Sequence, residues 1–182
     1  LIDLYLFPKL SDFGLCIKKI NEINSSLQST CGLKGNPKYI APEALVNDKY
    51  SKQSDVYSFS LIMYEIITNE IPFSNMNDNN AVQIINDIAF KFYRPKFNMP
   101  IDNCFKNLIE RCWDQDINKR PSFEYIVNEL KNNSCFISSK CNKQDYNKYI
   151  KYIDEYQATF ESSNRVLDFN ELNKKDDIII KI

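Results

Sequence analysis

The segment from Lys9 to Glu43 combines hydroxyl-bearing side chains with the main source of backbone freedom in the chain. It contains all three glycines of the 182 residues, Gly14, Gly32 and Gly35. Average glycine usage of about 7% would give about a dozen in a chain of this length, so this segment is predicted to be a loop that moves or packs tightly. Its central part carries four hydroxyl side chains, Ser25, Ser26, Ser29 and Thr30. A phosphate on one of them could order the loop against basic side chains, but a plain solvated loop is at least as good an interpretation.

The absence of histidine, the spacing of the cysteines and the net charge exclude several classes of catalytic site and partner. Histidine is absent, which excludes Ser-His-Asp and Cys-His catalysis and histidine metal sites. The six cysteines show no CxxC spacing, so we expect reduced thiols in a cytoplasmic protein and no zinc ribbon. The net charge is −1 with both signs interleaved, and no apolar run approaches the length of a membrane span. Nucleic acid and membrane are therefore not expected as partners.

Two elements are predicted to position the glycine-bearing loop. Before it, residues 1–3 and 9–11 have the pattern of the arms of a small β-hairpin, which needs a platform because two strands alone are marginally stable. After it, residues 56–67 are apolar on every side of a helix, which predicts a buried central helix. Ser54 is the predicted N-cap of this helix, and Asp55 lies near the positive end of its dipole.

The remaining helices are predicted from apolar residues at helical spacing. Three such sets follow the central helix: Ala81, Ile84, Ile85 and Ile88; Phe105, Leu108, Ile109 and Cys112; and Phe123, Ile126, Val127 and Leu130. All seven prolines lie at or before Pro121, which indicates a boundary near Asn132. Residues 1–131 are thus one predicted domain, and residues 132–182 are a tail.

The tail contains a further apolar stripe between residues 144 and 161, formed by Tyr146, Tyr149, Ile150, Ile153, Tyr156 and Phe160. This stripe predicts an amphipathic helix, which either packs on the same domain or docks a partner helix or protein. We favour packing on the same domain.

Four sequence motifs occur in an order that resembles the second half of a eukaryotic protein kinase domain. They are Asp12-Phe13-Gly14, Gly35-x-Pro37-x-Tyr39-x-Ala41-Pro42-Glu43, Ser54-Asp55-Val56-Tyr57-Ser58-Phe59-Ser60, and Arg111-Cys112-Trp113 followed by Lys119-Arg120-Pro121. A lone Asp-Phe-Gly is weak evidence, but four ordered motifs are specific. The last two look most like the tyrosine-kinase-like group of serine/threonine kinases. The resemblance covers residues 1 to about 131 and implies an α+β, predominantly α fold: a kinase C-terminal lobe with a short hairpin and a buried central helix.

The resemblance implies roles for the first motif. Asp12 would bind Mg²⁺, which bridges the phosphates of ATP, Phe13 would pack inward to set the position of Asp12, and Gly14 would let the backbone flip between states. These three residues would bind the cofactor and its metal, and no catalytic residue is expected within the chain.

Further roles follow from the same resemblance. Glu43 and Arg120 would form a buried ion pair, and Asp55 would accept backbone hydrogen bonds from a catalytic loop. Residues 35–39 would form the surface beside the protein substrate. Asn36 stands where serine/threonine kinases commonly have threonine.

Other parts of a kinase are missing from the printed sequence. No glycine lies outside residues 14–35, and no histidine is present, so neither a glycine-rich loop nor a His-Arg-Asp catalytic loop can be identified. The chain also begins at Leu1 and not at Met, so we expect a portion of a longer protein that is inactive alone. The alternatives are a non-catalytic interaction module, a degenerate kinase fragment, or an unrelated helical domain.

Overall fold

The computed structural model describes residues 35–76, 80–137 and 141–162. These residues fall into two compact units, the first containing residues 35–76 and 80–137 and the second containing residues 141–162. The described residues are predominantly helical and contain no strand, in agreement with the predicted fold class. The hairpin predicted at residues 1–11 lies outside the described residues.

The first unit is built around a 17-residue helix. Two helices come first in the described chain, α1 (Pro42–Asn47) and the long α2 (Lys52–Thr68). They are followed by α3 (Ala81–Ala89), α4 (Asn103–Cys112) and α5 (Phe123–Asn132), with short 3-10 turns at Pro37–Tyr39, Ile117–Lys119 and Ser134–Phe136. All three helices predicted from apolar spacing after the central helix are confirmed.

Helix α2 begins earlier than the sequence pattern suggests. Its N-cap is Ser51, whose Oγ accepts the backbone N–H of Ser54 at 3.2 Å, while Ser54 Oγ accepts the N–H of Ser51 at 3.1 Å. The prediction of Ser54 as the N-cap is therefore wrong, because Ser54 forms the third position of a reciprocal capping box. Asp55 lies in the first turn as expected. The helix ends at Asn69, a left-handed residue with φ of 55°.

Helix α2 is buried on most of its surface but not on every side. Its buried side chains include Val56, Tyr57, Leu61, Met63 and Tyr64, and they meet Leu108 and Ile109 of α4 in one apolar core. Ile62 and Ile66, one turn apart, are 47% and 75% exposed. The prediction of burial all round is thus wrong for this face, which the rest of the first unit leaves exposed.

Aromatic side chains fill the space between α2 and α4. The rings of Phe97 and Trp113 stack with centroids 5.7 Å apart, and Tyr64 lies 5.3 Å from Phe97. On the other side of the unit, α3 packs against α1 and buries Ile84 and Ile88. The buried side chains of these helices belong to one hydrophobic core.

The structure joins two of the cysteines. Cys104, in the first turn of α4, forms a disulfide with Cys135, in the 3-10 turn after α5, with Cα atoms 6.1 Å apart. The expectation of reduced thiols is therefore wrong for this pair. Spacing along the chain could not indicate the bond, since it connects residues 31 positions apart that meet only through packing. Cys112 is buried and Cys141 is exposed, both as free thiols.

The second unit contains α6 (Lys143–Ser162), which confirms a helix at the predicted stripe. Tyr146, Ile150, Ile153 and Tyr156 are half-buried, whereas Tyr149 is exposed. The predicted role of helix α6 in binding a partner stays a prediction. Within the described ranges, no helix has the combination of length and apolar character that a membrane span requires.

Candidate functional site

A forked ion pair joins the start of α1 to Arg120, which directly follows the 3-10 turn Ile117–Lys119. Arg120 donates from Nη1 to Glu43 Oε1 at 2.8 Å and from Nη2 to Oε2 at 2.9 Å. The Arg120 side chain is 0% exposed and the Glu43 side chain 18%. Ser54 Oγ donates a third hydrogen bond to Glu43 Oε1 at 2.8 Å. The buried pair implied by the family resemblance is thus confirmed, and the N-terminal turn of α2 takes part in it.

Arg120 also binds two backbone carbonyls. Its Nη1 donates to the carbonyl of Gln53 at 3.0 Å, and its Nε donates to the carbonyl of Asp114 at 2.8 Å. A guanidinium offers five N–H donors in a rigid fork, so one side chain can hold several segments in fixed directions. Arg120 therefore ties together α1, the start of α2 and the loop after α4.

The electrostatics of Glu43 follow from these contacts. Burial by itself would raise the pKa of its carboxyl, but the hydrogen bonds from Arg120, the backbone and Ser54, with the charge of Arg120, bring the pKa below its ordinary value. Glu43 is consequently held as a carboxylate at neutral pH.

Tyr57 lies between two guanidinium groups. The Cζ atoms of Arg94 and Arg120 are each 5.1 Å from the centre of its ring, which is fully buried. Burial raises the pKa of Tyr57 to about 12, although both arginine charges act in the opposite direction. Its hydroxyl has no hydrogen-bond partner among the described residues. Tyr57 therefore interacts with Arg94 and Arg120 through the face of its ring, and its hydroxyl adds no hydrogen bond to either guanidinium.

Arg94 is a site residue that the sequence analysis missed. It donates from Nε to the carbonyl of Trp113 at 3.0 Å and from Nη2 to Gln115 Oε1 at 2.8 Å. Its Nη1 donates to the carbonyls of Tyr93 and Ile88, at 2.8 Å and 3.2 Å. No motif in the sequence marks this residue, and its position over Tyr57 depends on contacts with α3 and with the end of α4.

Residues 35–39 form a turn that is tied firmly to α2. Gly35 has φ of 95°, a left-handed value that favours glycine. Asn36 Oδ1 accepts the N–H of Lys38 at 3.1 Å, so the amide group caps its own turn. Tyr39 is held by its hydroxyl, which donates to Glu65 Oε2 at 2.9 Å, and by its carbonyl, which accepts from Ser58 Oγ at 2.7 Å. This segment is therefore a rigid platform.

Only part of this platform can meet another protein. Gly35 and Asn36 are exposed, whereas Lys38 is buried and its Nζ donates to the carbonyl of Met76 at 3.4 Å. Of the region predicted to lie beside a substrate, Gly35 and Asn36 are thus the most exposed residues, and Lys38 is out of reach.

Asp55 is exposed on the first turn of α2, where residues 35–76 and 80–137 provide no hydrogen bond to its carboxylate. Neighbouring protein atoms nevertheless displace part of the water around this carboxyl and so raise its pKa. The described residues thus leave open the acceptor position that the resemblance assigns to Asp55.

Asp12, Phe13 and Gly14 lie outside the described residues, so their predicted roles in binding Mg²⁺ and ATP stay predictions. In the part of the chain that the structure describes, no group of three or more Cys, Asp or Glu side chains could hold a metal ion.

A helical lobe built on a central helix, with a Pro-Glu turn locked to a buried arginine, defines the C-terminal lobe of a protein kinase. The chain belongs to the protein tyrosine and serine/threonine kinase family, whose sequence model matches residues 1–130. The resemblance drawn from the four motifs is confirmed.

Curated relatives from Dictyostelium discoideum are similar to the same region. A probable serine/threonine-protein kinase, roco11, is 38% identical over 125 residues, which are 68% of this chain and 8% of the relative. The dual specificity protein kinase shkC is 33% identical over 130 residues, 71% of this chain and 25% of the relative. A second dual specificity kinase, shkD, is 34% identical over 152 residues, 83% of this chain and 19% of the relative. The chain spans a quarter or less of the length of these three relatives.

Proposed function

We propose that this chain forms the substrate-side lobe of a kinase that transfers the γ-phosphate of ATP to serine or threonine hydroxyls of proteins. The observation that carries the proposal is the anchoring of residues 35–43 to the core through Glu43 and Arg120. This pair fixes a short segment whose first residues are exposed, and phosphoryl transfer depends on such positioning.

The serine/threonine assignment is supported by the motifs of residues 54–60 and 111–121 and by relatives named probable serine/threonine-protein kinases. Some relatives are named dual specificity kinases, so the acceptor residue is part of the proposal. Asn36 is exposed at the platform but its Oδ1 is already used as a cap. Its side-chain NH₂ group remains a donor for an acceptor hydroxyl.

Within the chain, we assign the metal-binding role to Asp12. A carboxylate oxygen is the hard donor that Mg²⁺ prefers, and the bound ion would neutralise charge on the transferred phosphoryl group. A single carboxylate holds such an ion weakly, because Mg²⁺ normally also binds substrate phosphates and water. Phe13 and Gly14 would set the position of this carboxylate.

The 182 residues contain no glycine-rich loop and no histidine-bearing catalytic loop. We therefore propose that this chain has no kinase activity by itself, and that the segment from Asp12 to Glu43 acts as the activation segment of a complete kinase. Partial charges from the rest of the active site would be needed to stabilise the transition state.

The test uses the protein encoded by the complete reading frame that contains this chain, with radiolabelled ATP and a generic protein substrate. We expect the wild type to place label on serine or threonine. The rate of phosphate incorporation should fall at least about a hundredfold in Asp12→Asn and change little in Asp48→Asn. Asp48 is a matched control because it is exposed and left-handed, with φ of 53°, a conformation that asparagine tolerates. Label on tyrosine alone would refute the proposed specificity for serine and threonine. Activity of the 182-residue chain alone would refute the proposed dependence on other parts.

A further inference from the structure

The bond between Cys104 and Cys135 joins two surface elements of the kinase lobe. Cys104 lies in the first turn of α4, and Cys135 lies in the 3-10 turn Ser134–Phe136 that follows α5. Their Cα atoms are 6.1 Å apart, within the range of about 4.4 to 6.8 Å usual for disulfides. Both residues are half-exposed, so the bond lies near the surface of the unit and not in its core.

Contacts around the pair hold the turn beside α4 independently of the bond. The rings of Phe105 and Phe136 meet edge to face, with centroids 5.1 Å apart and planes at 81°. Asn133 Oδ1 accepts the N–H of Cys135 at 3.2 Å, and Phe136 donates its N–H to the carbonyl of Asn133 at 3.1 Å. Two thiols at these positions would therefore stay close together, which favours their re-oxidation to the same bond.

The other described cysteines lack these properties. Cys112 is fully buried, and burial raises the pKa of its thiol to about 12, so it is a poor nucleophile. Cys141 is exposed but belongs to the second unit. Cys16 and Cys31 lie outside the described residues. In the first unit, the oxidisable thiols that the structure describes are those of the pair.

We propose that Cys104 and Cys135 are a reversible thiol–disulfide switch that fastens residues 133–137 to the start of α4. With a peroxide as oxidant, one thiol becomes a sulfenic acid and releases one water, and the second thiol then displaces a second water to form the S–S bond. Two thiols are oxidised and one peroxide is reduced to two waters. Two glutathione thiols reverse the bond and leave as glutathione disulfide.

Oxidation of the pair would close a loop across α5. Such a cross-link removes conformational freedom from the unfolded chain, and the effect is substantial for partners 31 residues apart. It would also hold the end of the lobe at residue 137 against the start of α4. These effects are independent of kinase activity and do not rest on the proposed function.

The test uses the full 182-residue chain, reduced with dithiothreitol and then equilibrated in glutathione buffers from fully reduced to fully oxidised. Trypsin, which cleaves after Lys and Arg, places the pair on separate peptides, residues 97–106 and 132–140, and places Cys141 on residues 141–143. We expect mass spectrometry to find the first two peptides linked at the oxidised end and separate at the reduced end. We also expect oxidation to raise the Tm by about 5 to 10 °C.

Serine variants test whether the rise in Tm comes from the bond between Cys104 and Cys135. Cys104→Ser and Cys135→Ser should each abolish the rise in Tm, whereas Cys141→Ser should retain it. The linked-peptide measurement needs no variant and therefore still decides the matter if a serine variant fails to fold. The proposal is overturned if these two peptides never link, if a different cysteine pairs with either of them, or if the bond persists in every glutathione buffer.

Discussion

Arg120 places both terminal nitrogens of its guanidinium against the two carboxylate oxygens of Glu43, at 2.8 Å and 2.9 Å, across 77 positions of the chain. Both side chains lie largely out of water, and each has additional hydrogen bonds to the N-terminal end of α2. The pair therefore joins the start of α1 to the helical core, and a change at either residue should lower the stability of the lobe.

Replacement of Arg120 by alanine should reduce the free energy of unfolding by about 3 to 5 kcal/mol, because Glu43 keeps a buried charge without its partner. Arg120→Lys should reduce the free energy of unfolding by less, since lysine keeps the positive charge but cannot donate two parallel hydrogen bonds to the carboxylate. Urea denaturation followed by circular dichroism measures both. Arg111→Ala is the matched control: Arg111 is exposed, with Nη1 3.0 Å from the Tyr125 hydroxyl, and should cost less than about 1 kcal/mol. Equal losses for Arg111 and Arg120 would contradict the assigned role.

Acid should affect two carboxyl groups near the start of α2 in opposite directions. The pKa of Glu43 lies below its ordinary value of 4.5 in the folded chain, so its stabilising contribution is complete above pH 4.5 and is lost as the pH falls through the folded pKa. The stability difference between the wild type and Glu43→Gln should thus be largest at neutral pH and shrink in acid. A difference that grows below pH 4.5 would contradict this sign.

For Asp55 the sign is reversed, because burial raises its pKa above the ordinary value of 3.8. As the pH rises, Asp55 loses its proton at about 3.8 in the unfolded chain and only at a higher pH in the folded chain. The negative charge of Asp55 therefore disfavours folding at every pH above this window. Asp55→Asn should therefore be at least as stable as the wild type at pH 7, with a difference that vanishes in acid. Chemical denaturation at a series of pH values compares the two variants directly, and a loss of stability at pH 7 in Asp55→Asn would be the contrary result.

Removal of the Tyr57 hydroxyl should cost almost nothing. This oxygen is buried without a partner among the described residues, so Tyr57→Phe removes a desolvated polar group and keeps the ring between Arg94 and Arg120. We expect a change between zero and about 1 kcal/mol of added stability, measured by urea denaturation. Tyr39→Phe is the control, because its hydroxyl donates to Glu65 at 2.9 Å and its loss should cost about 1 kcal/mol or more. Tyr57→Phe as destabilising as Tyr39→Phe would reveal a partner for the Tyr57 hydroxyl.

The sequence indicates the helices well and their contacts poorly. The apolar spacing of α3, α4 and α5 is a local property, and all three helices lie where it predicts them. The start of α2 was misplaced because apolar residues begin only at Val56, while its capping serine lies at Ser51 among polar residues. The N-cap side chain, and not the first apolar residue, sets where this helix begins.

Long-range relationships required either a family resemblance or the structure. Glu43 and Arg120 are too far apart for any spacing rule, and the motifs of the kinase family supplied the pairing. The stacking of Arg94 on Tyr57 and the bond between Cys104 and Cys135 have no such motif, because they arise from the approach of helices to one another. An apolar pattern likewise cannot tell which face of a helix is covered.

The Ile62 and Ile66 face of α2 leads to the last prediction. These side chains are 47% and 75% exposed, so Ile66→Lys removes apolar surface from water without opening a cavity. We expect the free energy of unfolding to change by less than about 0.5 kcal/mol and light scattering to show less association of the chain. Leu61→Ala is the control from the same helix: this side chain is fully buried, and its truncation should cost about 2 to 5 kcal/mol. If Ile66→Lys proved as damaging as Leu61→Ala, the face would have to be covered in solution by another part of the protein.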